Sequence, residues 1–297
     1  MTPIRTLMDR DQDQPEPVLP PALMALYGGD LRFRTSLAER PYVVANFVST
    51  LDGVVSYAMK GQAGGATISG RDTADRFIMG LLRASADAIV VGAHTVLDTG
   101  PQALWTPEYV YPDASDLYAK YRESVLHKPQ YPLLVIVSGT GRLELEKAIF
   151  RNPGMRTAVI TTSAGRDALT RAGAAQLPSV QIYSLDANGG TITPSAILQL
   201  LHRDLGVKRL LHEGGPTLFG QFLAMGAVDE LFLTLAPQIA GRKAETVRPG
   251  LVEGYEFTPN LAPRFQLLSV KQRAEHLYLR YQRTRVITGD PMNDQLT

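Results

Sequence analysis

The segment Leu210-Leu211-His212-Glu213-Gly214-Gly215-Pro216-Thr217-Leu218-Phe219 joins an apolar run to two glycines and then to a helical pattern. Glycines allow close backbone approach to a ligand, and proline fits the first turn of a helix. Because a helix N-terminus attracts anions, the segment predicts a strand, a tight turn and a phosphate-binding helix. Glu213 would then close the strand at the carboxyl edge of the sheet, where α/β proteins bind ligands. An ordinary strand-to-helix turn fits the same letters.

The composition indicates a globular protein with a substantial core. The chain has 297 residues, of which 44% are hydrophobic, and its formal net charge is +1. No basic run marks a nucleic-acid or membrane surface, and no apolar run reaches the length of a membrane span. We therefore expect a cytoplasmic protein whose partner is a small molecule.

The cysteine and histidine content limits the chemistry. The sequence contains no cysteine, which excludes disulfides, a thiolate nucleophile and cysteine-ligated metals. The five histidines are scattered without the spacing of metal ligands, so we expect no metal site.

Apolar strands alternate with helical patterns along most of the chain. The predicted strands are Tyr42 to Thr50, Asp87 to Gly92, Leu133 to Ser138, Thr157 to Thr161, Val180 to Ser184 and Arg209 to His212. The predicted helices include Arg71 to Ser85, Pro194 to Leu205 and Pro216 to Met225. This alternation is typical of a mainly parallel sheet covered by helices on both faces.

The end of the chain has a different pattern. Asp229 to Leu235, Phe265 to Arg273 and His276 to Gln282 read as strands with no helix between them. We therefore expect an α/β protein whose sheet finishes in antiparallel strands.

The remaining segments predict the domain organisation. Residues 1–40, which include an Asp, Gln and Pro-rich stretch, are predicted to form an N-terminal arm, and residues 284–297 a polar C-terminal tail. Residues 41–283 would form one domain. Residues 102–131, rich in Tyr and Pro and containing Trp105, predict a long binding loop, although packing on the domain or at a dimer contact fits equally well.

The first two predicted strands carry polar residues, one within a strand and others just after a strand, that are suited to ligand binding. Asn46 interrupts an apolar strand, and a buried amide needs a hydrogen-bond partner in the protein or in a ligand. Gly92 and Thr95 follow the second strand, where a helix N-terminus would offer amide and hydroxyl donors, although Thr95 also fits a plain helix cap.

The order of several motifs resembles one family. These motifs are Ser49-Thr50-Leu51-Asp52-Gly53, Ile68-Ser69-Gly70, Leu82-Arg83, Val91-Gly92-Ala93-His94-Thr95-Val96-Leu97, Glu213-Gly214-Gly215, Val228-Asp229-Glu230-Leu231 and Ala236-Pro237. From Pro41 to Gln282 the chain resembles the riboflavin-biosynthesis pyrimidine reductases, including the C-terminal domain of bifunctional deaminase–reductases.

The resemblance implies a three-layer αβα fold of the dihydrofolate-reductase type, NADPH as hydride donor and a homodimer. The family's substrate is a ribosylaminopyrimidine 5′-phosphate of the 5-amino-6-(5-phosphoribosylamino)uracil type, reduced at ribose C1′. Hydride transfer needs no protein nucleophile, so no residue is assigned as catalytic.

The resemblance also implies site residues. The predicted cofactor contacts are Thr67, Gly92, Thr95, Thr99, Gly214, Gly215, Pro216, Thr217, Leu218 and Phe219, and the predicted substrate contacts are Asn46, Arg83, Ser138 and Glu213. Arg83 would pair with a substrate phosphate, or else form a salt bridge on the helix surface. Glu213 would accept from a pyrimidine amino group, or else cap the adjacent turn. Arg71 and Arg166 are candidates for the cofactor 2′-phosphate.

The chain departs from the family pattern at Asp98-Thr99-Gly100-Pro101, where family members usually carry paired aspartates before the proline. The basic residue usually found beyond that proline is missing as well, and the segment with Trp105 replaces it. Two other functions therefore remain open: reduction of a pterin such as dihydrofolate, and a catalytically silent NADP-binding role. The zinc signature of the deaminase needs cysteines, so we expect a stand-alone reductase.

Overall fold

The strands and helices follow from a computed structural model, which describes residues 1–11, 19–34, 39–59, 64–185 and 191–284. The strands in these residues are β1 (Arg5–Asp9), β2 (Tyr42–Ser49), β3 (Ala88–Gly92), β4 (Leu133–Ser138), β5 (Thr157–Thr161), β6 (Val180–Ser184), β7 (Arg209–His212), β8 (Glu230–Leu235), β9 (Phe265–Arg273) and β10 (His276–Arg283). The α-helices are α1 (Pro21–Tyr27), α2 (Gly65–Ile68), α3 (Thr73–Ser85), α4 (Ala93–Leu97), α5 (Pro107–Val110), α6 (Ser115–Lys120), α7 (Ala148–Arg151), α8 (Ser163–Arg171), α9 (Pro194–Arg203) and α10 (Pro216–Ala224).

All the strands form one sheet in the order β1-β9-β10-β8-β2-β7-β3-β4-β5-β6. The pairings from β8 through β6 are parallel, whereas β10 pairs antiparallel with β8 and β9, and β1 pairs antiparallel with β9. Strand β7 lies between β2 and β3, so the turn after β7 ends beside the ends of both neighbours. The predicted fold class, a mainly parallel sheet that finishes in antiparallel strands, is confirmed.

Alternate residues of the parallel strands face two hydrophobic cores. One core packs the sheet against α3 and includes Val44, Phe77 and Leu211. The other packs the opposite face against α9 and α10 and includes Val43, Leu201 and Phe222. Both faces are covered by helices, as the near-continuous apolar strands predict.

The described parts of residues 1–40 are packed into the domain, contrary to the expectation of a separate arm. Strand β1 extends the sheet, and Ile4, Leu19 and Leu23 belong to the core on the α3 face. Arg280 on β10 forms buried ion pairs with Asp11 and with Glu230. Residues 12–18 and most of the predicted tail, 285–297, lie outside the described residues, so the domain boundaries stay a prediction.

The segment 102–131 is mostly helical, not the irregular loop that its Tyr and Pro content predicted. It contains α5, a 3₁₀ turn at Pro112–Ala114, α6 and a π-helical turn at Tyr121–Val125. Trp105, Tyr111, Tyr118 and Tyr121 are buried in the core on the α3 face. These four aromatic side chains therefore pack on the domain, whereas Tyr109 is exposed. Within the described residues, no helix is long and apolar enough to cross a membrane.

His212, the last residue of β7, is fully buried on the α10 face of the sheet. Its ring lies among aromatic rings, with centroid distances of 6.1 Å to Phe47, 5.5 Å to Phe219 and 4.9 Å to Phe222. Burial in this apolar cluster lowers the pKa of His212 from 6.5 to about 3, so the ring is neutral in the folded protein at neutral pH.

This depressed pKa predicts a loss of stability in acid. Between pH 6.5 and 3 the unfolded chain binds a proton at His212 that the folded chain does not, so folding stability falls as the pH is lowered. Urea unfolding should show a loss of about 2 kcal/mol from this residue between pH 7.5 and pH 5. The variant His212→Leu should show a correspondingly smaller loss.

The exposed His127 provides the control. Its backbone has a φ of 51°, which Asn tolerates, so His127→Asn should keep the pH dependence of the parent protein. An unchanged pH dependence in His212→Leu would contradict the assignment.

Candidate active site

A cavity of about 350 Å³ lies between α3 and the carboxyl ends of the central strands. We call it the α3 cavity. The polar and charged residues that line it include Asn46 on β2, Asp75 and Arg83 on α3, Thr99 after α4, and Glu213 after β7.

The pleat of the strands explains why these polar residues face the cavity. Val44 on β2 and Leu211 on β7 pack against α3, and two residues further along the same faces stand Asn46 and Glu213. The α3 face of the sheet therefore changes from apolar to polar at its carboxyl edge. The Asn46 side chain makes no hydrogen bond to the described residues, so its amide is available to a ligand in the cavity.

Arg83 and Glu213 form a buried ion pair in the wall of the α3 cavity. Arg83 Nη2 lies 2.7 Å from Glu213 Oε2, and Arg83 Nε also donates to both carboxylate oxygens. The two side chains are only 6% and 8% exposed. Arg83, predicted to bind a substrate phosphate or to form a surface salt bridge, forms its salt bridge with Glu213 inside the protein and also lines the cavity, so its contact with a substrate stays a prediction.

The same guanidinium holds the segment that contains Trp105. Arg83 Nη1 donates to the carbonyl oxygens of Leu104 and Thr106 at 3.2 and 3.3 Å. The Arg83 guanidinium carbon lies 6.0 Å from the centre of the Trp105 ring, which also lines the cavity. Arg83 thus positions both a carboxylate and an aromatic wall.

A larger opening of about 670 Å³ lies on the other side of the turn after β7. We call it the α10 cleft. It is lined by residues from three strand ends and the first turns of α10, namely Gly92, Ala93, His94, Thr95, Val137, Ser138, Gly139, Thr140, Thr191, Ile192, Gly215, Pro216, Thr217, Leu218 and Gln221. The N–H groups of Thr217 and Leu218 lie in the first turn of α10 and have no intrahelical acceptor. The cleft therefore offers amide and hydroxyl donors at the positive end of a helix.

The cleft and the cavity meet along the turn. His94, Thr95, Gly215 and Pro216 line both openings. The Gly215 N–H donates to Thr95 Oγ1 at 3.1 Å, which joins the turn after β7 to α4. A ligand in the cleft can therefore reach one in the α3 cavity at this junction.

The two glycines of the turn are needed for space, since neither has a positive φ. A Cβ on Gly214 would lie 3.1 Å from the Gly92 nitrogen and 3.2 Å from the Val91 Cα, so the backbones of β3 and the turn pack together there. A Cβ on Gly215 would lie 3.4 Å from Thr95 Oγ1, an ordinary contact, at the junction of the two openings. Gly214 is thus required by close chain packing, whereas a Cβ on Gly215 would fit and would lie beside both openings.

The structure brings most of the predicted site residues together, and the exceptions are the following. Ser138 lines the α10 cleft, away from the other predicted substrate contacts, and its hydroxyl accepts from the Gly141 N–H. Thr99 lines the α3 cavity instead of the cleft. Thr67 lines neither opening, and Phe219 is fully buried beside Phe47. Arg71 and Arg166 are exposed and line neither opening.

Asp75 is a cavity residue that sequence reasoning missed. It is 5% exposed and lines the α3 cavity on the same helix face as Met79 and Arg83. Burial raises the pKa of Asp75 to about 6. The spacing of four residues from Asp75 to Met79 to Arg83 could have revealed this face, but it does not distinguish a buried acid from an exposed one.

The fold and the two openings define an α/β protein with a nucleotide-sized cleft beside a smaller, charged cavity at the carboxyl edge of its sheet. Comparison with known proteins identifies the family. The family described as RibD C-terminal domain matches residues 41–279, and the chain belongs to that family.

Two curated relatives carry the same name, 2,5-diamino-6-ribosylamino-4(3H)-pyrimidinone 5′-phosphate reductase. The protein of Archaeoglobus fulgidus is 32% identical over 212 residues, which is 71% of this chain and 87% of the relative. The protein of Methanothermobacter thermautotrophicus is 29% identical over 212 residues, which is 71% of this chain and 85% of the relative.

Solved structures show the same fold. Acinetobacter baumannii RibD superposes with a TM-score of 0.64 at 23% identity, covering 84% of this chain but only 59% of the other. A pyrimidine reductase-like protein of Corynebacterium diphtheriae superposes with a TM-score of 0.62 at 22% identity, covering 82% of this chain and 92% of the other. The resemblance seen in the sequence motifs is confirmed.

The buried ion pair predicts an asymmetry between single and double substitutions. Arg83→Met leaves the Glu213 carboxylate buried without its partner, so it should lower the free energy of unfolding by about 3–5 kcal/mol. The double variant Arg83→Met/Glu213→Leu removes both charges and should recover much of that loss. Urea unfolding of both variants at pH 7.5 measures the difference.

Arg151 and Glu146 provide a matched exposed pair, because their side chains are 52% and 86% exposed. Arg151→Met should change the free energy of unfolding by less than about 1 kcal/mol. If the double variant were no more stable than Arg83→Met, the loss in Arg83→Met could not be explained by the buried, unpaired carboxylate of Glu213.

Proposed function

We propose that the protein is an NADPH-dependent reductase that transfers a hydride to ribose C1′ of a ribosylaminopyrimidine 5′-phosphate. The observation that carries the proposal is the junction of the α10 cleft and the α3 cavity along Thr95 and Gly215. Hydride transfer needs donor and acceptor carbons held about 3–3.5 Å apart, and two openings that share a wall suit that requirement.

The residues of the α10 cleft fit a nicotinamide dinucleotide. The free N–H groups of Thr217 and Leu218 and the positive end of α10 suit the diphosphate. Gly92 at the end of β3 and Thr95 on α4 line the cleft beside this diphosphate position, and Thr95 also lines the α3 cavity. When bound, the cofactor supplies the hydride, and the protein supplies binding and orientation. NADPH in preference to NADH rests on the family resemblance, as does the homodimer.

The α3 cavity suits the pyrimidine and its sugar. Asn46 offers an amide donor and acceptor, and Glu213, held by Arg83, offers carboxylate oxygens to exocyclic amino groups. Trp105 and Met79 provide apolar walls that exclude water. The names of the curated relatives favour the 2,5-diamino form of the substrate over the uracil form that the motifs suggested.

The junction residue Gly215 tests the cofactor cleft. In Gly215→Leu the Cβ has room, but the longer side chain extends into the space shared by the two openings. The variant should fold and should bind NADPH at least tenfold more weakly, as measured by titration of nicotinamide fluorescence.

Gly100→Leu is the matched control, because a Cβ there meets no atom within 4 Å and Gly100 lines neither opening. Its affinity for NADPH should equal that of the parent. Wild-type affinity in Gly215→Leu would count against the placement of the cofactor.

Turnover tests the substrate. Oxidation of NADPH at 340 nm should be observed with 2,5-diamino-6-ribosylamino-4(3H)-pyrimidinone 5′-phosphate. The uracil analogue and dihydrofolate are then assayed in the same way for comparison. Turnover of dihydrofolate alone would favour a pterin reductase. NADPH binding without turnover of any of the three would favour a silent NADP-binding protein.

A further inference from the structure

Asp75 lies in the first turn of α3 and lines the α3 cavity. The side chain of this residue is almost wholly buried, yet it lines the same cavity as Asn46 and Glu213. A carboxyl group buried in a cavity wall loses most of its hydration, which favours its protonated form. The cavity therefore contains an acid that can keep a proton away from bulk water.

The groups around Asp75 are hydroxyls and charges from β8, β10, the end of α2 and the start of α3. Its carboxyl group interacts with the hydroxyls of Ser69, which follows α2, and Thr234 on β8, and these hydrogen bonds lower its pKa. His276 on β10 also lowers this pKa, whereas Asp72 at the start of α3 raises it. Burial is the largest effect, and the result is a pKa of about 6.

Asp72 itself is held by other partners. It accepts hydrogen bonds from Tyr278 Oη at 2.6 Å, from Arg273 Nη1 at 3.4 Å and from the Asp75 N–H at 2.8 Å. These contacts cap α3 and keep the Asp72 carboxylate out of the cavity, which it does not line. Asp75 is thus the acid of the pair that faces a ligand.

The proposed reaction requires a proton as well as a hydride. The hydride forms a new C–H bond at C1′, the C1′–O4′ bond breaks, and its electron pair goes to O4′, which must then take up a proton. C1′ is reduced and the nicotinamide is oxidised. A ribose ring inside the α3 cavity is shielded from water, so a cavity residue has to supply that proton.

The other ionisable residues of the cavity suit this task less well. Arg83 and Glu213 are paired with each other, so the Glu213 carboxylate acts as an acceptor. His94 on α4 and Asp98 just after it also line the cavity, but both side chains are exposed to solvent. Asp75 combines burial with access to the ligand.

We propose that Asp75 is the proton donor to O4′ of the ribose during ring opening, an inference that rests on the proposed function. The proton returns to the carboxylate from solvent after the product leaves. A general acid works best when its pKa lies near the operating pH, and the pKa of about 6 meets that condition.

The test compares pH profiles of the turnover rate, kcat, for the parent protein and two variants. In the parent, kcat should fall above the pKa of Asp75, because the donor loses its proton. Asp75→Asn keeps the shape of the side chain but has no acidic proton, so kcat should fall by about 100-fold or more while NADPH affinity stays within about twofold.

Thr234→Val separates proton donation from a structural role. The hydroxyl of Thr234 stabilises the charged form of Asp75, so its removal should raise the pKa of Asp75 and move the falling limb of the profile to higher pH. Asp204→Asn, at an exposed carboxylate after α9, should leave the limb where it is in the parent. A merely structural Asp75 would produce no such displacement.

The outcomes distinguish this inference from the proposed function. Turnover by the parent together with an Asp75→Asn variant that retains kcat within about threefold would overturn the role of Asp75 alone. A falling limb that stays in place in Thr234→Val would overturn it as well. Absence of turnover by the parent with any ribosylaminopyrimidine phosphate would overturn both proposals.

Discussion

The ion pair between Arg83 and Glu213 is the contact on which the geometry of the site depends. It joins α3 to the turn after β7, and through the carbonyl oxygens of Leu104 and Thr106 it also holds the segment containing Trp105. Both charges are buried, so neither can lose its partner without a large cost. The pair therefore fixes the relative positions of α3, the turn after β7 and the segment containing Trp105 in the cavity wall.

The position of β7 between β2 and β3 determines where the two openings lie. The turn after β7 meets the end of β3 so closely that Gly214 has no room for a side chain, and Thr95 then bonds the next residue of the turn. On the α3 face Asn46 of β2 and Glu213, which follows β7, line the cavity, whereas the other side of the turn leads into α10. One turn thus separates a charged cavity from a cleft lined by amide donors.

Two segments that the predicted alternation of strands and helices did not include also pack into the domain. Strand β1 and helix α1 fill the antiparallel end of the sheet, and Arg280 ties them to Glu230 through buried charges. Residues 102–131 cover α3 with tyrosine side chains, and Tyr118 donates to the Phe77 carbonyl at 2.8 Å. These contacts hold the helix that carries Asp75, Met79 and Arg83 in place against the sheet.

The sequence by itself determined the order of the strands from β2 to β10, the helices α3, α9 and α10 and the motif at residues 210–219, because apolar periodicity and glycine placement are local properties. It also placed Glu213 at the carboxyl edge and Thr95 after the end of the second strand, and it singled out Asn46 as a polar residue within an apolar strand. Only the tertiary structure decided that Arg83 pairs with Glu213, that Phe219 is core, that Ser138 faces the cleft and that Asp75 is buried in the cavity wall. Burial and partner choice depend on elements distant in the chain, and no local pattern records them.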